Sequence, residues 1–366
     1  MTDTRLLDSP MQIGSLSLKN RYVVAPMTRV SASEGGDATE VMGKYYERFA
    51  AGGFGLVISE GLYTDQRFAQ GYRFQPGMSD EAQALSWRPL VRRLQTEGTR
   101  VIGQLMHAGA LSQGNRHAAH TIAPSPVQPK GEQMAFYRGV GRYPLPHRAT
   151  DAQLAEVIAG FAQAARLATE VAGFDGVEIH GANGYLLDQF LTDYTNARDD
   201  RWGGAIERRV GLLMEVVGAV KDAVRPGALV GVRISQGKVN DFEHKWPEAE
   251  HAAEVIFGAL AKVGVDYIHV TEHQAWQPAF AGGSATLIQL ARRFAPDTPL
   301  IGNGSLRTAE RSIQVLAQGA DLLAFGRSAL ANPDLPQRFA RDHALAELNA
   351  EVLGPIAHIK ACELGG

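Results

Sequence analysis

The sequence predicts an α/β chain folded as a single (β/α)8 TIM barrel, and three observations carry that expectation. Eight short runs rich in Val, Ile and Leu recur along the chain without polar alternation, as strands covered on both faces read. Segments with helical spacing of apolar residues lie between them. The turn after the first run, APMTRVSASEGG, lacks the G-x-G-x-x-G fingerprint that the alternative, an open doubly wound sheet, places there.

In chain order, MQIGSLSLKN (11–20) reads as a hairpin ahead of the first strand, a lid for the barrel bottom. Strands are expected at 21–26, 54–59, 99–106, 175–180, 228–235, 266–271, 299–304 and 321–326. Helices are expected at 39–53, 80–98, 150–173, 205–224, 248–264, 285–294 and 307–319. Several end at Gly, the usual helix stop, and Thr150 or Asp151 is a suitable opening residue for the third. The stretch from about 108 to 149 is too long for an ordinary βα loop and is rich in Gly, Pro and aromatics. It follows strand three, so it is expected to overhang the C-terminal face of the barrel. No linker divides the sequence, and residues 1–366 read as one domain.

Composition narrows the function classes. Hydrophobic residues are 45 % and charged residues 20 % of the chain, which suits a globular protein with a sizeable core. The net charge is −3 with no basic run, so neither nucleic acid nor an anionic membrane is an expected partner. One cysteine, Cys362, allows no internal disulfide. The start of the sequence has no signal pattern and no apolar run approaches membrane-spanning length, so the cytoplasm is the expected compartment.

Chemistry in this fold sits at the C-terminal ends of the strands. Read in order, those ends supply Thr28; Ser59, Glu60 and Gly61; Gln104 and His107; His180 and Asn183; Arg233 and Ser235; Thr271, Glu272 and His273; Asn303 and Gly304; Gly326 and Arg327. The last two ends suit a phosphate: Gly302, Gly304 and Gly326 allow close backbone approach, and Arg327 brings a planar donor fork. No lysine falls in an expected strand end, which counts against a Schiff-base aldolase. No His and carboxylate set has metal-ligand spacing, and HAAH (117–120) reads as surface. The remaining set is rich in hydrogen-bond donors and suits a large heterocycle with carbonyl oxygens and a phosphate tail, such as FMN. A phosphosugar isomerase or aldolase barrel, and a flavin-binding barrel without catalysis, stay as alternatives.

The segments APMTR (25–29), GQLMHAG (103–109), EIHGANGYLLDQFL (178–191), RDDRWGG (198–204), VRIS (232–235), IGNGS (301–305) and AFGRSALANPDL (324–335) together resemble the Old Yellow Enzyme family of FMN-dependent ene-reductases. The resemblance spans nearly the whole chain in the family's order. It implies tightly bound, non-covalent FMN, reduction by NADPH or NADH, and a small activated alkene as substrate: an enone, enal, maleimide or nitroalkene. By the same resemblance, Pro26, Met27 and Thr28 line the flavin ring, Gly61 presents backbone to it, and Gln104 bonds its pyrimidine edge. Arg233 lies where negative charge collects on reduction, and Asn303, Gly304, Gly326 and Arg327 hold the phosphate. His180 and Asn183 match the pair that grips the substrate's activating oxygen, and Tyr185 matches the proton donor. A homodimer is compatible with this reading.

The chain also departs from the family. It ends AELNAEVLGPIAHIKACELGG and lacks the aromatic-rich tail that reaches the substrate site in many relatives. An aromatic wall is therefore expected from Phe136, Tyr137 and Trp276. With a single Cys and 366 residues, the full architecture of the branch with an iron–sulfur centre and a second flavin domain is not expected. Thr28 stands where some relatives have Cys, and Asn183 where others have a second His.

Overall fold

The computed structural model describes residues 4–364; the outermost residues of the expected domain span, 1–3 and 365–366, lie outside that range. All eight expected strands form. They are β3 (Tyr22–Val24), β4 (Leu56–Ile58), β6 (Arg100–Met106), β9 (Gly176–Asn183), β10 (Leu229–Lys238), β11 (Tyr267–Thr271), β12 (Leu300–Asn303) and β13 (Leu322–Phe325). Every neighbouring pair is parallel, and β4 pairs with both β3 and β6, which closes the barrel. The short β5 (Leu62–Tyr63) continues the second strand past Glu60 and Gly61 and pairs with the end of β6.

The hairpin forms as expected: β1 (Met11–Ile13) pairs antiparallel with β2 (Leu16–Leu18). Its Ile13, Leu16 and Leu18 pack with Val23, Leu56, Ile102, Leu229, Tyr267, Ile301 and Leu322, the apolar lower interior of the barrel. Burying each such aliphatic side chain stabilises the fold by roughly 1.5–3 kcal/mol. The floor under the site is thus dry and rigid.

Helices α2 (Glu40–Ala51), α3 (Glu81–Thr96), α4 (Asp151–Arg166), α7 (Gly211–Ala223), α8 (Glu250–Val263), α9 (Leu287–Phe294) and α10 (Ala309–Ala317) ring the outside, each close to its expected range. Thr150 caps α4 through a reciprocal capping box with Gln153. The last turn expected for α4 is π-helical instead, from Leu167 to Ala172, and stops at Gly173 with φ +86°.

Two strands run further than the sequence suggests. β9 continues to Asn183 and β10 to Lys238, with a register shift between Ile234 and Lys238. The extension brings Asn183 onto the barrel rim. It also corrects one expectation, because Lys238 does stand at a strand end. That lysine is buried and donates to Asp188 at 2.7 Å. The excursion after strand three carries a two-residue pairing, Ile122–Ala123 with His147–Arg148, and a short 3-10 turn at Ala135–Tyr137 that reaches over the rim.

The chain end returns to the same rim. The Arg29 guanidinium, fully buried, donates from Nη1 and Nη2 to the Glu363 carboxylate at 2.7 and 2.5 Å and from Nε to the Ala357 carbonyl at 3.0 Å. Burial works against ionising Glu363, but the bonds and charge of Arg29 prevail and hold its carboxyl below the ordinary range. Glu363→Gln should lower stability by about 3 kcal/mol, because a buried cation loses its partner. The native contribution is full above the unfolded carboxyl's pKa, near 4.5, and is lost as pH falls through the lower folded value. Thermal melts of wild type and variant across that range check both statements.

Candidate active site

Residues two apart on a strand share a face, so Glu178 and His180 of β9 both point into the barrel. Register sets Gln104 beside Glu178, Arg233 beside His180, and His269 beside Arg233. Glu178 is completely buried and accepts from Gln104 Nε2 at 2.8 Å and from the Tyr267 hydroxyl at 3.2 Å, with His269 Nδ1 at 2.9 Å. Burial opposes its charge, yet His269, Arg233 and Gln104 together hold the carboxyl below its ordinary range. The carboxylate fixes the amide plane of Gln104 and offsets the charge of Arg233 from below.

Arg233 Nη2 donates to Thr271 Oγ1 at 3.3 Å and to Asn303 Oδ1 at 3.1 Å, while its buried Nε–H has no partner within the protein. That orphan donor belongs to a residue lining a cleft of about 490 Å³. The cleft runs past Asn183, Thr271 and Asn303 to Gly304, Gly326 and Arg327. A Cβ on Gly326 would meet only Met27 Sδ at 3.8 Å and Ala25 Cβ at 4.0 Å, so this backbone faces open space. Gly61, by contrast, is held tight, since a Cβ there would lie 2.5 Å from Met106 Sδ. Pro26, Met27 and Thr28 are half-buried on the rim beside Gly326.

The Asn303 side chain is engaged within the protein. Its Oδ1 accepts from Arg233 and Thr271, and its Nδ2 donates to the Ala324 carbonyl at 2.8 Å. With those bonds the amide braces Arg233, and Gly304, Gly326 and Arg327 line the far end of the cleft. Ser305 and Arg307 line the same end and were not singled out by the sequence.

On the other side of the rim, Tyr185 caps α5 (Leu186–Leu191), with its ring 4.9 Å from that of His180. The His180 Nδ1 is buried and unpartnered. Burial, then the charges of Arg233 and His269, hold this imidazole well below its ordinary pKa, so it is neutral. Asn183, at φ +62°, takes the left-handed conformation that Asn tolerates, while its N–H donates to Ser235 Oγ at 2.8 Å. The turn projects Asn183 into the cleft.

Of the three aromatics expected to form a wall, only Tyr137 is at the site. Its hydroxyl donates to the Thr28 carbonyl at 3.1 Å, and its ring lies 4.5 Å from Tyr72. Phe136 is largely exposed and packs edge-on against Tyr137 from outside. Trp276 is not brought to the cluster, because its ring lies under the Arg311 guanidinium at 4.5 Å. The sequence reading missed Tyr72, whose hydroxyl is 2.5 Å from that of Tyr185. It also missed Ile356, by which the C-terminal segment packs against the apolar cluster that contains Val30, Tyr72 and Tyr185. The C-terminal segment thus borders the cluster around Tyr185 with an aliphatic side chain. His107 supports the strand-three loop by accepting from the Gly109 N–H at 3.1 Å. Among the described residues, no group of His, Cys, Asp and Glu could hold a metal ion, and no helix is long and apolar enough to cross a membrane.

A parallel barrel with a buried arginine at a large cleft, glycines and an arginine at the far end of that cleft, and a neutral histidine beside a buried tyrosine on the rim suits a flavin-dependent oxidoreductase. Comparison with known proteins agrees. The family model described as the NADH:flavin oxidoreductase / NADH oxidase family matches residues 7–346, and the chain belongs to that family. The Old Yellow Enzyme homologue of Zymomonas mobilis superposes with a TM-score of 0.87 at 29 % identity, covering 98 % of each chain. The 12-oxophytodienoate reductase 2 of Arabidopsis thaliana is 33 % identical over 93 % of this chain and 90 % of its own. A metal reductase of Desulforamulus reducens is 32 % identical over 92 % of this chain, which spans about half (49 %) of that longer protein. The chain is accordingly an FMN-dependent ene-reductase that draws reducing equivalents from a nicotinamide nucleotide.

Proposed function

We propose that the substrate is an alkene conjugated to a carbonyl or nitro group, and that His180, Asn183 and Tyr185 perform its activation and protonation. The observation that carries this reading is a neutral, unpartnered His180 ring 4.9 Å from the buried phenol of Tyr185 on the rim. Bound FMN, once reduced, supplies the hydride that adds to the β-carbon.

His180 and Asn183 donate hydrogen bonds to the activating oxygen, where negative charge grows as the β-carbon is reduced. Donors placed in advance where charge develops are most effective in a site that excludes water. The Tyr185 phenol, which burial pushes up to about 12 against the pull of the Tyr72 hydrogen bond, stays protonated at neutral pH and delivers its proton to the α-carbon. Arg233, with its unpartnered Nε–H and its charge offset by Glu178, would be available to stabilise negative charge on a reduced flavin. Gly304, Gly326 and Arg327 would hold the flavin phosphate, and Gln104 would bond the flavin ring. Tyr72 and Tyr137, with rings 4.5 Å apart, would help to exclude water from the site.

The aldolase alternative loses ground to Lys238, whose amine is tied to Asp188 and unavailable as a nucleophile. Tyr72→Phe should slow alkene protonation by about tenfold, the effect of one hydrogen bond worth about 1.4 kcal/mol. Single-turnover oxidation of the reduced protein checks this. An oxygen-free panel of 2-cyclohexenone, N-phenylmaleimide and nitrostyrene, with NADH and NADPH, tests the reading itself. Nucleotide consumption should require the alkene. Consumption that appears only when oxygen is admitted would count against it.

A further inference from the structure

One residue, Gly184, separates Asn183 from Tyr185, and two side chains with no part in the mechanism hold its backbone. Its N–H donates to Asp188 Oδ2 at 2.6 Å, and its carbonyl accepts from Gln189 Nε2 at 2.7 Å. Asp188 and Gln189 belong to α5, the helix that Tyr185 caps. The other carboxylate oxygen, Asp188 Oδ1, accepts from Lys238 Nζ at 2.7 Å. Lys238 ends β10 and stands across from Asn183 in the strand register. The ion pair therefore ties the first turn of α5 to the strand beside Asn183.

The turn is conformationally demanding. Asn183 and Gly184 have φ of +62° and +87°, and a Cβ on Gly184 would lie 3.1 Å from that of Lys238. Such backbone persists where its surroundings fix it. Asn183 has two anchors of its own, since its N–H donates to Ser235 Oγ at 2.8 Å and its carbonyl accepts from the Val239 N–H at 3.0 Å. The Tyr185 N–H reaches the Ala182 carbonyl at 3.3 Å, and its carbonyl accepts from the Gln189 N–H of α5 at 2.8 Å. The position of Tyr185 thus follows that of α5.

Asp188 and Lys238 are both buried. Burial works against the Asp188 charge, and the charge and bond of Lys238 oppose that effect. Desolvating two charges offsets most of their attraction, so an apolar pair would hold the fold as well. An apolar pair could not offer the Gly184 N–H a directed acceptor. We propose that Asp188, oriented by Lys238, is the positioning group for Tyr185, setting its phenol relative to His180 and Asn183 so that the proton reaches the α-carbon. This rests on the functional reading above.

The test replaces both partners, Lys238→Met with Asp188→Leu, in the FMN-loaded protein. The double variant should melt close to wild type. Its reoxidation by 2-cyclohexenone in anaerobic stopped-flow should slow about tenfold, the effect of one lost hydrogen bond. Flavin reduction by the nicotinamide nucleotide, and the dissociation constant of phenol, should stay within about twofold. Introduced into Tyr185→Phe, the same two substitutions should add less than about a further twofold, because they act through the missing hydroxyl. Asp188→Asn, a milder change, should slow the same step selectively and serves if the double variant does not fold. Wild-type reoxidation in a folded variant would overturn the proposal. So would equal slowing of both half-reactions, or a full tenfold loss added to Tyr185→Phe. If Tyr185→Phe is itself not selectively slow with cyclohexenone, the functional reading fails and this inference with it. If Tyr185→Phe is selectively slow and the pair variants are not, this inference alone fails.

Discussion

Tyr185→Phe should slow reoxidation of the reduced protein by an enone about 10²–10⁴-fold, the range for removing a positioned general acid. Reduction by the nicotinamide nucleotide should change by no more than about twofold, since no proton is delivered to carbon in that step. The phenol is almost fully buried, so substitution by Phe keeps its packing against His180 while removing its hydroxyl. The wild-type alkene step should be flat from about pH 6 to pH 10, because the Tyr185 hydroxyl titrates only at about 12. Its rate should fall only as pH rises toward that value and the proton is lost. Anaerobic stopped-flow of the two half-reactions separates the cases. Equal slowing in both would mean that Tyr185 is structural.

The second large effect is expected at the donor pair. His180→Ala and Asn183→Ala should each lower kcat/KM for an enone by about 10²–10³-fold, as removing one donor to a developing oxyanion does. Both should also weaken binding of a phenol, whose oxygen occupies the same place and whose charge-transfer absorption over the flavin reports it. Neither donor titrates near neutrality: Asn183 carries an amide, and burial, Arg233 and His269 keep His180 neutral. Phenol affinity should therefore show no inflection near pH 6.5. A phenol titration that is the same in wild type and both variants would remove the pair from the substrate site.

The barrel was legible because its strands are apolar on both faces, a pattern that local sequence carries by itself. The polar strand ends were legible for the complementary reason. Arg233 in VRIS and His180 in EIHGAN are charged or polar residues in otherwise buried runs, which cost free energy unless they are partnered or used. Glu178 carries the same signal two positions before His180, and the sequence reading passed over it. What was not legible came from residues far apart in sequence that share no periodicity. Tyr72 lies in an irregular stretch after strand two and meets Tyr185 only through the closed barrel. Ile356 reaches the rim because Arg29 clamps Glu363 across more than three hundred residues. Asn303 stood out by its place at a strand end, and only its three hydrogen bonds reveal that its amide also braces Arg233. Lys238 was hidden by the register shift that lengthens β10.

The proposed mechanism is a division of labour: reduced flavin would supply hydride to the β-carbon, and Tyr185 a proton to the α-carbon from the opposite face. Isotopic labelling of the product tests it most directly. The protein would reduce 2-methylcyclohexenone with 4-deuterated nicotinamide nucleotide in water, and in parallel with unlabelled nucleotide in D₂O. The expected product of the first reaction carries deuterium at the β-carbon, that of the second carries it at the α-carbon, and the two positions lie on opposite faces. Deuterium on the same face in both, or nucleotide deuterium at the α-carbon, would contradict the placement of Tyr185 opposite the flavin.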